Sequence, residues 1–383
     1  MKLRFIIGRA LAALTFLGVI ALLVALWRQR DIPAPVLEAR YAGPPSKFIV
    51  VDSVRMHYRD EGSGPVVVLL HANFSNLLDW EPWVLALKDR YRVVRFDMTS
   101  HGLTGPDPTG DYTLARTLKL TEDFIDALGL QKVTLAGISL GGTVAIHYAA
   151  AHPGRVERLV LLNPGSLEGK ERRARGSIPR VAYLLKYLLP RALPRSMLSS
   201  GFGDPAKLPE PLVDRWYDLW LREGQREAQL DRLSQYKAGD IEGLIRSLRM
   251  PVLLMWGELN TTAAFSQSRR FLELLSGAAA VKFIPYPGLG HMALEEDGAR
   301  LARDVRAWLD APVAERRGEC GGGGGRDRGG CSTAGPRICG VLRARSSGAW
   351  RRPCSRARTA CSTTWWRSGT RNLRYALSTS TRS

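Results

Sequence analysis

The serine in Gly137-Ile138-Ser139-Leu140-Gly141-Gly142 has surroundings that suit a nucleophile. An apolar run over Gln131–Ile138 precedes it and a small-residue segment follows, so the pattern predicts a strand, a sharp turn and a helix. The flanking glycines permit so tight a turn that the serine oxygen would be exposed on a strained backbone. The N–H groups at the start of the helix would point to where negative charge develops during attack. We predict that Ser139 is a nucleophile; the alternative is a glycine-rich helix start with an incidental serine.

His291 has the position expected of a proton acceptor for that serine. It follows the predicted strand Val281–Pro285 and the glycine-rich turn in YPGLGH, which places it at the carboxyl edge of the sheet. Ser139 is predicted at the same edge, where open α/β sheets bind their ligands. We therefore predict that Ser139 and His291 form a nucleophile and general-base pair. We interpret the other histidines as structural: His57, His147, His152, His71 and His101.

The elements that must hold these residues are predicted from hydrophobic periodicity. Apolar strands alternate with helices along most of the chain, a pattern typical of a mostly parallel, doubly wound α/β sheet, here of about eight strands. Two paired strands are predicted in Phe48–Gly62 around a turn at Asp52-Ser53, and an inserted helical cap is predicted over approximately residues 165–245. The other predicted elements are strands Pro65–Leu70, Tyr91–Met98, Gln131–Ile138, Val156–Leu162, a strand from Pro251, and Val281–Pro285, with helices Tyr112–Leu128 and Gly298–Leu309.

The first 30 residues have the composition of a membrane anchor. Ala10–Trp27 is an 18-residue apolar stretch that as a helix would span about 27 Å, close to the thickness of the hydrocarbon core of a bilayer. Three basic residues precede the stretch and two follow it, which favours a cytoplasmic N-terminus and a main domain on the extracytoplasmic side. We predict a single N-terminal span within residues 1–30, with membrane lipid as its partner. Residues 31–47 are predicted to form an extended, proline-rich linker.

Residues 311–383 differ in composition from the rest of the chain. They contain 15 arginines against three acidic residues and all five cysteines, and they lack lysine, phenylalanine, methionine, histidine and glutamine. This tail supplies +12 of the net charge of +19, so we predict no nucleic-acid partner for the main domain. Its cysteines do not have zinc-ligand spacing. We interpret the tail as disordered or as the product of a shifted reading frame; a zinc module and an Arg-rich RNA-binding segment are the alternatives.

Five segments, in chain order, are landmarks of one known superfamily: VVVLLHANFSNLLDW, YRVVRFDMTSHGLTGP, LAGISLGG, PVLLMWGELN and PGLGHMALEED. With them the chain resembles the α/β-hydrolase superfamily from about Phe48 to Leu309, within a predicted main domain of residues 48–310. The resemblance is closest to the capped, cofactor-free branch of esterases, haloperoxidase-like enzymes and C–C bond hydrolases. It implies Ser139 as the nucleophile, His291 as the general base and an acid after the seventh strand. Serine at the sharp turn argues against the epoxide-hydrolase and dehalogenase branches, which have aspartate there.

The same resemblance implies an oxyanion hole, and the composition of the predicted cap indicates a substrate class. The oxyanion donors would be the backbone N–H groups of Leu140 and Asn73, and no cofactor or metal is expected. The predicted cap contains the apolar and aromatic segments IPRVAYLLKYLLPRALP and RWYDLWLRE. We therefore expect a small-to-medium apolar ester or acyl substrate; the alternative is that these segments only pack the cap together.

Asn260 departs from the family pattern at the acid. Met250–Phe265, MPVLLMWGELNTTAAF, predicts the seventh strand and the loop where relatives have aspartate, and this chain has asparagine. An amide can accept a hydrogen bond from an imidazole but cannot stabilise an imidazolium by charge, and this change in a serine protease costs about 10⁴ in turnover. The end of the sixth strand, where some relatives carry their acid, has Asn163. The carboxylates nearest in sequence are Glu258 and Glu168.

Two smaller departures from the family pattern are Ala72, after His71, and Ser100, where the family has glycine. Three interpretations follow from all the departures together. The chain is a weak serine hydrolase that uses Asn260, a hydrolase with a relocated acid, or a catalytically impaired binding protein with this fold. We take a hydrolase as the principal prediction and a binding protein as the alternative.

Overall fold

The computed structural model describes residues 2–165, 167 and 179–312, and an eight-stranded sheet forms its centre. The strands are β1 (Lys47–Val51), β2 (Val54–Glu61), β3 (Val66–Leu70), β4 (Arg92–Phe96), β5 (Val133–Ser139), β6 (Val156–Pro164), β7 (Val252–Gly257) and β8 (Val281–Tyr286). Their order is β1-β2-β4-β3-β5-β6-β7-β8. Strand β2 is antiparallel to β1 and to β4, and the remaining neighbours are parallel. This confirms the predicted mostly parallel α/β sheet.

Helices cover both faces of the sheet. The helices are α1 (Lys2–Arg28), α2 (Ala34–Tyr41), α3 (Glu81–Leu87), α4 (Leu114–Ala127), α5 (Leu140–Ala151), α6 (Ala192–Gly201), α7 (Glu210–Trp220), α8 (Gln225–Gln235), α9 (Ile241–Ser247), α10 (Gln267–Leu274) and α11 (Ala293–Asp310). Helices α4, α5, α9 and α10 pack on one face, and α3 and α11 pack on the other. Because both faces are covered, the central strands are apolar along their whole length, as the sequence predicts.

The β1–β2 hairpin and helix α11 can be compared with the bounds predicted from local sequence patterns. Strands β1 and β2 pair around Asp52-Ser53, whose φ angles of 41° and 65° suit a tight hairpin turn. Helix α11 is broken at Asp297, whose φ of −154° and ψ of 53° are not helical, and its longer part begins at Gly298, as predicted. A short helical segment from Ala293 precedes the break. The acidic residues Glu295 and Glu296 interrupt the apolar periodicity there. They nevertheless occupy the first turn, where the helix dipole favours negative charge.

The linker prediction was wrong for residues 34–41, which form α2 instead of an extended segment. Pro33 and Pro35 lie at the start of this helix, where proline is well tolerated because the first N–H groups have no helical partner. Leu37 is fully buried and packs with Leu103 and with Leu219 of α7. The packing of Leu37 therefore stabilises a helix that the proline content did not predict.

Helix α1 stands apart from the packed domain. Over Arg4–Trp27 it is long and apolar enough to cross a membrane, and none of that stretch is buried in the described structure. A membrane anchor and a signal sequence both fit these properties.

The inserted cap follows β6, as predicted. Its described part contains α6, α7 and α8 with 3₁₀ turns at Arg180–Lys186 and Pro205–Lys207. Leu198, Val213, Trp216 and Trp220 form its buried cluster, and Met292 from the main domain packs against them. Helix α9 lies within the predicted cap limits, but its buried residues belong to the core beneath the sheet. Residues 166, 168–178 and 313–383 lie outside the described residues, and with them the alternative acid Glu168 and most of the predicted tail, residues 311–383.

Candidate active site

Ser139 lies at the sharp turn between β5 and α5. Its φ of 51° and ψ of −114° are in a region that a non-glycine residue rarely occupies, so the backbone is strained there. Close packing explains the neighbouring glycines. A Cβ atom at Gly137 would overlap the carbonyl oxygen of Gly141, and one at Gly141 would overlap that of Leu70. The turn therefore requires glycine on both sides of the serine.

His291 lies opposite this serine on the loop between β8 and α11. Its Nε2 atom is 3.0 Å from Ser139 Oγ, a hydrogen-bond distance, although 151 residues separate the two in the chain. Burial lowers the pKa of His291 to about 4, so the imidazole is neutral at pH 7 and can accept a proton. The structure thus brings the two residues together in the geometry of a nucleophile and its base.

Glu296 holds the loop that carries His291. Its Oε1 atom accepts a hydrogen bond from Gly290 N–H at 2.7 Å, and its Oε2 atom accepts one from Gly203 N–H at 2.8 Å. Gly203 belongs to the cap, so one carboxylate fixes the histidine loop and joins it to the cap.

Asn163, at the end of β6, holds the same loop from the other side. Its Oδ1 atom accepts a hydrogen bond from Gly257 N–H at 2.9 Å. Its Nδ2 group donates to the carbonyl oxygens of Gly290 and His291, at 3.0 Å each. The side chain is fully buried, and its three bonds join the ends of β6 and β7 to the histidine loop. It reaches the backbone of His291 and makes no hydrogen bond to the imidazole among the described residues.

Asn260 lies on the loop after β7, next to the histidine loop. Its Oδ1 atom accepts hydrogen bonds from the N–H groups of Thr262 and Ala263, both at 3.0 Å. Those two donors fix which end of the amide is oxygen, so Nδ2 is the end left over. Within the described ranges, the buried Nδ2 of Asn260 and the buried Nδ1 of His291 both have no hydrogen-bond partner. An amide NH₂ group cannot accept a hydrogen bond from Nδ1–H. In this orientation Asn260 therefore cannot take the role of a triad carboxylate, which accepts that bond.

The alternative carboxylates do not replace it among the described residues. Glu258 is exposed, and its backbone N–H bonds to the Tyr286 carbonyl oxygen at 3.1 Å. Glu168 lies outside the described residues. No group of three or more His, Cys, Asp or Glu side chains in the described ranges could hold a metal ion.

The predicted oxyanion donors lie beside the serine. Leu140 begins α5, Asn73 follows β3, and both line the same cavity as Ser139. The Asn73 amide is 3.0 Å from Nε2 of His101, whose Nδ1 atom is 2.9 Å from the Thr99 carbonyl oxygen. Burial lowers the pKa of His101 well below its usual value, so its ring is neutral and Nδ1–H donates to Thr99. The Asn73 atom next to Nε2 is Oδ1, and an Nε2 without a proton cannot donate to it, so the contact is satisfied once the amide is turned over and its NH₂ group donates to Nε2.

The remaining histidines have structural partners. His71 Nε2 accepts a hydrogen bond from Met98 N–H at 3.0 Å, and burial lowers its pKa. His57 Nδ1 is 2.7 Å from Asp97 Oδ2, and His147 Nε2 is 2.9 Å from the Ala238 carbonyl oxygen. None of these three reaches Ser139 through any hydrogen bond of the described residues.

A buried pair of carboxyl groups beside the site was missed by the sequence analysis. Glu295, in the first turn of α11, interacts electrostatically with Asp79, which accepts hydrogen bonds from Ser75 and from Arg215 of α7. Burial, and then the charge of Asp79, raises the pKa of Glu295 well above its usual value. The cluster joins the cap to the segments after β3 and after His291. The one sequence pattern that involves this cluster is Asn76-x-x-Asp79, a helix-capping pattern that the structure contains.

A cavity of about 990 Å³ lies over the serine between the cap and the carboxyl edge of the sheet. It contains the four residues predicted from the motifs, Ser139, His291, Leu140 and Asn73. Ala263, next to the Asn260 loop, also lines it. The apolar side chains that line it include Phe74, Met197, Trp216, Leu233 and Met292.

A doubly wound sheet with a strained serine after its central strand, and a cap over its carboxyl edge, is the architecture of the α/β hydrolases. Residues 65–298 match a family model described as the alpha/beta hydrolase fold, and the chain belongs to this family.

Named relatives agree with that assignment. A bifunctional esterase/perhydrolase of Acinetobacter calcoaceticus is 25% identical over 273 residues, covering 67% of this chain and 97% of the relative. A 2-hydroxy-6-oxo-6-(2'-aminophenyl)hexa-2,4-dienoic acid hydrolase of Metapseudomonas resinovorans is 24% identical over 273 residues, covering 69% and 90%. Among solved structures, a bacterial membrane phospholipase A has a TM-score of 0.58 at 24% identity, covering 81% of this chain and 98% of that one.

Proposed function

We propose that this chain is a serine hydrolase in which Ser139 attacks the acyl carbon of an ester and His291 acts as the general base. The observation that carries the proposal is the 3.0 Å distance between His291 Nε2 and Ser139 Oγ at a strained, glycine-flanked turn. The neutral state of the buried imidazole supports the same role, because only a neutral ring can take the serine proton.

The proposed reaction has two halves. Ser139 Oγ bonds to the acyl carbon while its proton moves to His291 Nε2, and the carbonyl oxygen becomes an oxyanion facing the N–H groups of Leu140 and Asn73. The C–O bond to the alcohol then breaks, and His291 returns the proton to the leaving alcohol. Water attacks the acyl-serine in the same way, with His291 as base, and releases the acid and free Ser139.

We further propose that Asn260 makes this hydrolase a weak one. The imidazolium formed during attack would be buried beside an amide instead of a carboxylate. With a pKa of about 4, His291 is a poorer base than an ordinary histidine, a difference worth about 3 kcal/mol in proton affinity. Among the described residues no side chain accepts a hydrogen bond from His291 Nδ1, so none holds the ring in the tautomer that leaves Nε2 free to take the serine proton.

A small-to-medium apolar ester or acyl compound is the proposed substrate. The apolar side chains of the cavity support it, as do the activities named for the esterase/perhydrolase and hydrolase relatives. We also propose that α1 anchors the protein in a membrane through a single span, with the hydrolase domain on the extracytoplasmic side, on the basis of its apolar length and basic leading flank.

A binding protein that retains the fold is the second candidate. Two observations favour it: His291 Nδ1 has no hydrogen-bond partner in the described part of the chain, and position 260 holds an amide. Labelling with a fluorophosphonate probe separates the two candidates, because the probe forms a covalent bond only with an activated serine. We expect slow labelling of the full chain and no labelling of Ser139→Ala. A full chain that is inert to the probe, while an unrelated active serine hydrolase in the same sample is labelled, would support the binding protein.

A further inference from the structure

The segment that follows α1 is bonded to the cap. Asp31 Oδ1 accepts a hydrogen bond from Arg226 of α8 at 2.6 Å, and Asp31 Oδ2 accepts one from Gly224 N–H at 3.3 Å. Next to it, Ile32 N–H donates to the Leu221 carbonyl oxygen at 2.6 Å, and Glu223 N–H donates to the Ile32 carbonyl oxygen at 3.0 Å. The chain is therefore attached to the cap as soon as it leaves the apolar helix.

This attachment limits the distance between the cap and a membrane. Trp27, the last apolar residue of the stretch, precedes Asp31 by four positions, and an extended chain covers at most about 14 Å over that length. If α1 spans a bilayer, the start of α8 must therefore lie close to its surface. The α2 helix, buried through Leu37, removes the freedom that a flexible linker would have given the domain.

The cap has an exposed apolar surface beside this attachment. We define the apolar cap surface by five side chains that are all exposed to solvent: Val181, Tyr183, Leu184, Tyr187 and Leu233. The ion pair between Lys186 and Glu227 connects the 3₁₀ turn of this surface to α8, one residue from Arg226. Leu233 follows Arg226 by seven positions, or two helical turns, so both lie on the same side of α8.

The apolar cap surface also borders the cavity over the serine. Leu233 and the exposed Lys237 belong to the lining of that cavity, so its wall reaches the same surface. Among the described residues, Lys237 and the exposed Arg180 have no ion-pair partner. Cations next to an apolar surface are attracted to anionic lipid headgroups. The surface therefore suits a bilayer both in its charge and in its apolar side chains.

We propose that the apolar cap surface lies in the headgroup region of the bilayer that holds α1, so that the cavity receives apolar acyl substrates dissolved in that bilayer. This proposal rests on the membrane anchor and, for its substrate part, on the proposed hydrolase function. The occupant of the surface is the lipid bilayer itself, and the orientation follows from the contacts of Asp31 and Ile32 with the cap.

Photolabelling of the full chain tests the contact without requiring hydrolysis. The protein is placed in vesicles of phosphatidylcholine and phosphatidylglycerol that contain a lipid with a photoreactive group at headgroup depth, and labelled peptides are identified by mass spectrometry. We expect labels within α1, within residues 180–187 and on the exposed side of α8, and none on α3. Labels confined to α1 would overturn the docking proposal, and an unlabelled α1 would refute the anchor. Cross-linked protein dimers through residues 180–187 would assign the surface to a second copy of the chain.

A matched pair of variants tests the route of the substrate. Leu184 and Tyr187 are 60% and 66% exposed, and Val50 on β1 and Leu85 on α3, both outside the cap, are 69% and 65% exposed. For Leu184→Asp with Tyr187→Asp we expect about a 10-fold loss in hydrolysis of a long-chain ester dissolved in vesicles, because two charges oppose insertion of the surface. Hydrolysis of a short, water-soluble ester should not change.

Val50→Asp with Leu85→Asp should change neither activity. Equal losses on both esters, or equal effects of both double variants, would overturn the proposed route. Wild-type protein that hydrolyses neither ester and is inert to fluorophosphonate would refute the hydrolase function, while the photolabelling result would still decide the docking.

Discussion

Asn260 and His291 lie on adjacent loops at the carboxyl edge of the sheet, and among the described residues no hydrogen bond joins their side chains. The loops themselves are joined, because Leu259 N–H donates to the Leu289 carbonyl oxygen at 2.9 Å. The amide oxygen of Asn260 is bonded to two backbone N–H groups of its own loop. An aspartate in the same place could keep those two bonds with one oxygen and offer the second oxygen to His291.

Asn260→Asp should therefore raise ester turnover by a factor on the order of 10² to 10⁴, because a carboxylate restores the imidazole tautomer and stabilises the imidazolium. Steady-state kinetics on one chromogenic ester measure the effect. Asn260→Asp combined with Ser139→Ala should be inactive, which shows that any gain passes through the serine. A gain of less than a few-fold would contradict the assignment, and a large loss in Glu258→Gln or Glu168→Gln would instead identify a relocated acid.

The pH profile should report the low basicity of His291. Because burial lowers its pKa to about 4, the neutral form persists in acid, and the acid limb of kcat/KM should fall near pH 4 and not near the usual value of about 6.5. In Asn260→Asp the new carboxylate should raise the pKa, so the limb should move to higher pH. A lowered folded-state pKa also means that this histidine opposes folding as the pH falls from about 6.5 through 4. Identical limbs in both proteins would exclude contact between position 260 and the ring.

Asn163→Ala should lower kcat more than it changes KM, because the loss of three hydrogen bonds releases the loop that positions His291. We expect a free energy of unfolding reduced by about 2–4 kcal/mol, since buried carbonyl oxygens at Gly290 and His291 lose their donor. Denaturant unfolding and kinetics on the same ester measure both effects. Gln235 of α8 provides the control, since it also bonds two backbone groups, Tyr112 N–H and the Gly110 carbonyl oxygen, away from the histidine loop. Gln235→Ala should lower stability without lowering kcat, and equal kcat losses would assign Asn163 a purely structural role.

Glu295→Gln should gain stability relative to the wild type as the pH rises. Burial, with the charge of Asp79, raises the pKa of Glu295, so its protonated form stabilises the fold fully below the unfolded pKa of about 4.3. That contribution is lost as the pH rises through the raised folded pKa, because a second buried charge then forms beside Asp79. Melting temperatures of wild type and variant across pH 4 to 9 should diverge in favour of the variant. Parallel curves would show that Arg215 fully compensates the second charge.

Removal of residues 1–30 should convert a membrane-bound protein into a soluble one that still reacts with fluorophosphonate. The helix over Arg4–Trp27 is unburied, so its loss exposes no core. Fractionation of both forms is the measurement, and protease access from each side of the membrane tests the predicted extracytoplasmic domain. Full-length protein in the soluble fraction would contradict the anchor, and cleavage only from the cytoplasmic side would reverse the orientation.

Local patterns were sufficient for the sheet, the turn at Ser139 and the position of His291. Apolar runs of strand length report burial on both faces, and the glycines around Ser139 report a turn that side chains would block, so each signal lies within a few residues. The resemblance to the α/β hydrolases, and not a local pattern, implied Leu140 and Asn73 as oxyanion donors, and both line the cavity.

The long-range contacts around the site could be found only in the tertiary structure. Asp79 and Arg215 are 136 positions apart, and Asn163 and His291 are 128 apart, so no local pattern could pair them. The helix over Ala34–Tyr41 depends on the burial of Leu37 against the cap, which its prolines do not reveal. The sequence by itself identified an amide at position 260. The orientation of that amide follows from two backbone N–H groups, which only the folded loop brings to its oxygen.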